Sequence, residues 1–183
     1  YQREALFEMA YCHEALEEYD DAVEIYERLI DEEPYDANAW FNKGVILGRK
    51  GAHRGAISCY EYATAINPDF VNAYYNMGNS FAMLGRLDEA IDAYRAAYQG
   101  DPADVPVMHN LASSLEERGH YIEAIDMFTK ALAADSKHVP SLYGRGTCYD
   151  ALEQFDKAVA DYESALDIEP TQPDVWYAKA DAL

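Results

Sequence analysis

Apolar residues recur three and four apart along this chain, in runs separated by short polar links. In one run Tyr74, Met77, Gly78 and Phe81 share a helical face. On another face Asn72, Asn76 and Asn79 stand at i, i+4 and i+7, a stripe of amides along the same helix. A link that usually holds glycine (Gly51, Gly85, Gly119) follows each such run, and a second periodic run comes after it. Asp20, Asp88 and Asp156 stand near the second starts, where acidic side chains can cap unpaired amides. Proline then ends the pair, because it cannot continue the hydrogen-bond ladder. The pattern predicts an all-α chain of antiparallel helix pairs.

The pairs repeat every 34 residues. Pro34, Pro68, Pro102 and Pro170 keep that spacing, with Ser136 in the missing place. Ala22, Ala56, Ala90, Ala124 and Ala158 keep it without a gap, and a ring follows each alanine by four: Tyr26, Tyr60, Tyr94, Phe128 and Tyr162. Five repeats result, at 3–36, 37–70, 71–104, 105–138 and 139–172, with a partial sixth repeat or capping helix at 173–183. One helix pair cannot bury its own apolar faces, so neighbours must stack.

These residues resemble the tetratricopeptide repeat, whose signature is W-x2-L-G-x2-Y, then A-x3-F, then P. The second repeat reads Trp40, Lys43, Gly44, Leu47, Ala56, Tyr60, Pro68; the third reads Tyr74, Met77, Gly78, Phe81, Ala90, Tyr94, Pro102. The first repeat is weaker, with His13 at an aromatic position. Lys43, Arg145 and Lys179 replace the usual leucine, and their stems are expected to pack while their charges reach water. Ser136 is expected to loosen its junction. The resemblance implies a single right-handed superhelical solenoid over residues 1–183, whose first helices line a concave groove. Tyr1 at the start points to an excerpt or a processed chain, and Trp176 and Ala180 in the partial sixth repeat point to continuation of the stack.

On that implied groove the third repeat presents Asn72, Tyr75, Asn76 and Asn79. Steps of 34 give an amide ladder, Asn42, Asn76 and Asn110, which ends at Glu8, Gly144 and Ala178. Beside it runs a ring series: Phe7, Phe41, Tyr75, His109, Tyr143 and Tyr177. An Asn amide both donates and accepts, so it can pair with peptide backbone whatever the side chain. Repeats about 10 Å apart match roughly three residues of extended chain. The pattern resembles the asparagine ladders of superhelical tetratricopeptide domains that bind extended peptides, such as those of the O-linked glucosamine transferases. The family's clamp for C-terminal carboxylates is not matched: Phe41, Tyr75 and His109 hold its lysine position. Arg49 is the one base among the acids around the groove ends.

Charge narrows the partner further. With 14 basic and 34 acidic residues the chain carries −20, which argues against nucleic acid and anionic membrane surfaces. Residues 1–36 alone hold 13 acids and 2 bases. A protein partner with a neutral or basic extended segment suits such a surface, electrostatics serving rate and orientation. No apolar run is long enough for membrane insertion. Cys12, Cys59 and Cys148 fit neither a disulfide framework nor a zinc motif and read as buried thiols. They favour a cytoplasmic setting, with a periplasmic or envelope-associated one left open. The five histidines lack ligand spacing, and no nucleophile elbow or phosphate loop appears, so neither cofactor, metal nor enzymatic activity is expected. The expected role is a non-enzymatic interaction scaffold. The alternative is self-association into homo-oligomers through solenoid ends or the convex face, with Trp176 exposed.

Overall fold

The computed structural model describes residues 2–183. These residues form eleven helices and no strand. The helices are α1 Gln2–Ala15, α2 Tyr19–Glu32, α3 Ala37–Arg49, α4 His53–Ile66, α5 Val71–Met83, α6 Leu87–Gly100, α7 Val105–Glu117, α8 Tyr121–Ala134, α9 Val139–Ala151, α10 Phe155–Ile168 and α11 Pro173–Asp181. The chain divides into two compact units, one ending at Gly100 and the other running from Asp101 to Leu183. In the first unit each helix from α1 to α6 packs on the next, and α3 also touches α5. In the second unit α7 to α11 follow the same order, and α7 also touches α9. The first helices α3 and α5 thus lie side by side in one unit, and α7 and α9 in the other.

The links explain the helix ends. Gly51, Gly85 and Gly119 take φ of 76°, 70° and 79°, a left-handed conformation that glycine adopts without Cβ strain. Glu17 and Glu153 adopt the same conformation at φ 61° and 58°, which costs each about 1–2 kcal/mol relative to glycine. Capping differs from the sequence expectation. Asp20, Asp88 and Asp156 lie inside the first turns of α2, α6 and α10, where they favour the helix dipole. The side-chain caps are instead Asp36, accepting from Asn38 and Ala39 amides, and Asp104, accepting from Val107.

The junction at Ser136 is as short as the proline-bearing ones, with α8 ending at Ala134 and α9 starting at Val139. There Asp135 accepts the Lys137 amide at 3.0 Å, as Asn67 and Asp101 accept from Asp69 and Ala103 in the preceding links. This side-chain turn does without proline.

The repeating alanines are fully buried, and the ring four residues after each lies at 0–3% exposure. These rings explain the glycines opposite them. A Cβ on Gly44, Gly78 or Gly146 would stand 2.5–2.6 Å from Tyr60, Tyr94 or Tyr162 respectively. The charges of Lys43, Arg145 and Lys179 each meet a carboxylate on another helix. Lys43 pairs with Glu27 and Lys179 with Glu163, both at 2.8 Å, and Arg145 grips Asp161 through two hydrogen bonds of 2.8 and 2.7 Å. Their side chains are only 17–20% exposed. A basic residue at the leucine position therefore pins one helix to another.

Candidate functional site

The first-helix face of the first unit carries a cleft of about 350 Å³ between α3 and α5. Its walls include Gly48 and Arg49 of α3, His53 and Tyr60 of α4, and Asn76, Asn79 and Ser80 of α5. The helix period of α5 sets Asn76, Asn79 and Met83 towards this cleft and Tyr74, Met77 and Phe81 towards the opposite side. Gly48 keeps the cleft deep, since a Cβ there would sit 3.7 Å from the Tyr60 hydroxyl. Burial pushes the Tyr60 phenol above its ordinary range, so it remains a neutral donor. His53 brings a buried Nδ1 without a hydrogen-bond partner among the described residues. Such an atom costs free energy until something pairs with it.

The candidate residues have distinct surroundings. Asn72 is exposed, while Asn42, Asn76, Asn79 and Asn110 are half-buried. Asn79 accepts the Tyr94 hydroxyl proton at 2.7 Å, which ties part of its amide to the fold. Arg49 is exposed and lies 2.8 Å from Glu14, so its charge is already balanced within the unit. Asn42, Asn72, Asn76, Asn79, Phe41, Tyr75 and Arg49 belong to the first unit; Asn110, His109 and Tyr143 belong to the second.

The ring series has a packing role that spacing alone did not show. Phe41, Tyr75, His109 and Tyr143 each lie 5.7–6.1 Å, centroid to centroid, from the ring of their own second helix: Tyr60, Tyr94, Phe128 and Tyr162. Each is half-buried, with one side against the core and the other outward. Phe41 also lies 4.7 Å from Phe70.

In the second unit His109 packs beside His138, and both imidazoles approach the buried Ser141 hydroxyl, at 3.2 and 2.8 Å. Burial, helped by the neighbouring imidazole, lowers the His109 pKa to about 4 and keeps it neutral. Glu116 on α7 accepts from the Thr147 hydroxyl of α9, and burial raises its pKa. The amide ladder stops at Gly144 for a steric reason: a Cβ there would meet the Phe128 ring tip at 2.4 Å. Phe128 belongs to the fourth repeat, where Ala112 replaces the glycine that faces the ring in the second, third and fifth.

The thiols divide. Cys59 and Cys148 are buried, with pKa raised to about 11 and about 12 by burial, but Cys12 is exposed, contrary to its expected burial. Cys12 lies on the outward side of α1, where the periodicity is weakest. His13, Glu18 and Asp21 meet at the α1–α2 turn with ligand atoms within 4.8 Å of one another. His13 lies 2.7 Å from Glu18 across the turn. This one group, an imidazole with two exposed carboxylates, escaped the helix-face spacing test because its members span a turn. Its chemistry could accept a cation.

Comparison with known proteins agrees with the repeat geometry. Tetratricopeptide repeat profiles match residues 3–46, 41–105, 107–134 and 139–172. No curated protein sequence matches the chain. Among solved structures, YrrB, described as a TPR protein with an unusual peptide-binding site, is 20% identical with a TM-score of 0.88, covering 96% of this chain and 90% of its own. MamA from Desulfovibrio magneticus RS-1 is 15% identical with a TM-score of 0.86, covering 93% and 96%. TTC0263, a thermophilic TPR protein of Thermus thermophilus, is 20% identical with a TM-score of 0.64, covering 98% of each chain. At such identities the likeness establishes the fold. With helix pairs stacked at a 34-residue period and matched repeats along nearly its whole length, the chain belongs to the tetratricopeptide repeat family.

Proposed function

We propose that the chain is a non-enzymatic scaffold that binds an extended, neutral or basic peptide segment of a partner protein along its first-helix face. The observation that carries this reading is the α3–α5 cleft, where Asn76, Asn79 and Ser80 offer polar groups next to a ring-lined surface. Asn42 and Asn76 in the first unit, and Asn110 in the second, supply one amide per repeat for peptide backbone. Phe41, Tyr75, His109 and Tyr143 supply apolar area from their outward sides. Arg49 is balanced by Glu14, so it does not select for an acidic ligand. YrrB, with its peptide-binding site, provides a precedent on the same fold.

The test uses peptides selected from a random extended library on the native chain. Combined Asn42→Ala, Asn76→Ala and Asn110→Ala substitutions, with helicity unchanged by circular dichroism, are expected to weaken these peptides at least ten-fold. Unchanged affinity would remove the amides as the recognition element. A second reading, self-association, draws on the exposure of Trp176 and Tyr177 on α11, at 52% and 73%. It requires light-scattering mass to rise with concentration and to fall back with Trp176→Ser.

A further inference from the structure

The opposite side of α5 holds a second cleft of about 290 Å³, with Tyr74, Met77 and Phe81 of α5 against Ala93 and Ala96 of α6. Three carboxylates, Glu61, Glu89 and Asp92, border this apolar floor. The same place in other repeats is occupied. One repeat earlier, Lys43 lies 5.8 Å from the Trp40 ring and reaches Glu27 at 2.8 Å. In the last helix, Lys179 lies 5.7 Å from the Trp176 ring and reaches Glu163 at 2.8 Å. In steps of 34 residues, Glu27, Trp40 and Lys43 become Glu61, Tyr74 and Met77. The third repeat keeps the carboxylate and the ring but has lost the base. Glu61 makes no side-chain ion pair among the described residues, whereas Glu89 is held by Arg86 at 2.8 Å and Asp92 lies 3.8 Å from Arg95.

We propose that this cleft is a docking slot for an arginine or lysine side chain of a partner protein, which takes the place that Lys43 and Lys179 fill from within the chain. The aliphatic stem lies over Met77 and the Tyr74 ring, and the cationic head reaches Glu61, with Asp92 and Glu89 reinforcing the field. The net charge of the whole chain, −20, favours the same sign of ligand. The ring–base–carboxylate arrangement is already formed twice in this molecule, so its geometry needs no new invention. The slot lies on the second-helix side and does not depend on peptide binding along the first-helix face.

The methionine methyls separate the two faces, because Met77 lines this slot and Met83 lines the α3–α5 cleft. The full chain, labelled with carbon-13 at its methionine methyls, is titrated with acetyl-Ala-Arg-Ala-amide and with its glutamine counterpart at matched ionic strength. The arginine peptide is expected to give a saturable shift at Met77, at least five times that of the glutamine peptide, with Met83 unmoved. Glu61→Gln is expected to weaken the arginine peptide about two- to five-fold, the range of an exposed ion pair. Met77→Lys, read at the Glu61 and Asp92 amides, is expected to abolish the response, because the introduced lysine fills the slot. Equal shifts with both peptides, a response at Met83 in place of Met77, or full affinity in Glu61→Gln would overturn the proposal. Glu61 is exposed, so its substitution tests the slot even if Met77→Lys disturbs the fold.

Discussion

The Arg145–Asp161 pair ties α9 to α10, and its removal in two ways gives opposite results. Asp161 is 6% exposed and takes both of its strong hydrogen bonds from Arg145. Arg145→Leu installs the family's usual residue, yet it leaves that carboxylate buried without its cation. Breaking one side of a buried pair costs about 3–5 kcal/mol, and partial hydration at the edge of this site favours the lower end, about 3 kcal/mol. Asp161→Ala leaves a guanidinium that is 19% exposed and still donates to Thr129, so it can turn to water. Its cost is about 1 kcal/mol.

The double substitution restores what the third repeat already uses. There the positions of Arg145 and Asp161 are held by Met77 and Ala93, both buried. Two apolar residues in place of a buried pair should leave stability within about 1 kcal/mol of native. The interaction energy across the cycle is then on the order of −3 kcal/mol. Urea unfolding by circular dichroism measures the four proteins, and amide exchange in α9 and α10 reads the effect locally, because repeat arrays need not unfold in one step. A double variant as unstable as the sum of the two singles would refute the reasoning, as would Arg145→Leu at native stability.

Two further perturbations address the second unit. His109 is held neutral in the fold, with a pKa of about 4 against an ordinary 6.5, so the unfolded chain binds the extra proton between these values. Stability is therefore full above pH 6.5 and falls by up to about 3 kcal/mol as pH drops to 4; His109→Tyr, matching Tyr75 and Tyr143, should remove this component when urea midpoints are compared across that range. Gly144→Ala should cost about 1–3 kcal/mol, since its Cβ would displace a rigid Phe128 ring, and a variant with unchanged thermal midpoint would contradict the contact.

The sequence made the fold legible because helix pairing and stacking depend on residues at fixed offsets, and a 34-residue period repeats each offset along the chain. The alanine–ring series and the αL glycines were readable for that reason. The site was less legible because its chemistry depends on which neighbour each side chain meets. Lys43, Arg145 and Lys179 were visible as departures, but their carboxylates lie 16 residues away on other helices. Spacing within one helix could not reveal them. Comparison between repeats does: a base that recurs beside a ring asks which carboxylate it meets, and Met77 then marks the repeat where Glu61 lacks one. The amide stripe teaches the converse. Asn72, Asn76 and Asn79 share a helical face by arithmetic, yet the Tyr94 hydroxyl draws Asn79 into the fold while Asn72 remains exposed. A regular stripe can therefore contain unequal chemistry, set by the second helix against which each amide lies. Gly144 carries the same point into the ladder itself. Its amide is missing because Phe128 occupies the space, so the reach of the candidate ladder is fixed by core packing on the neighbouring helix.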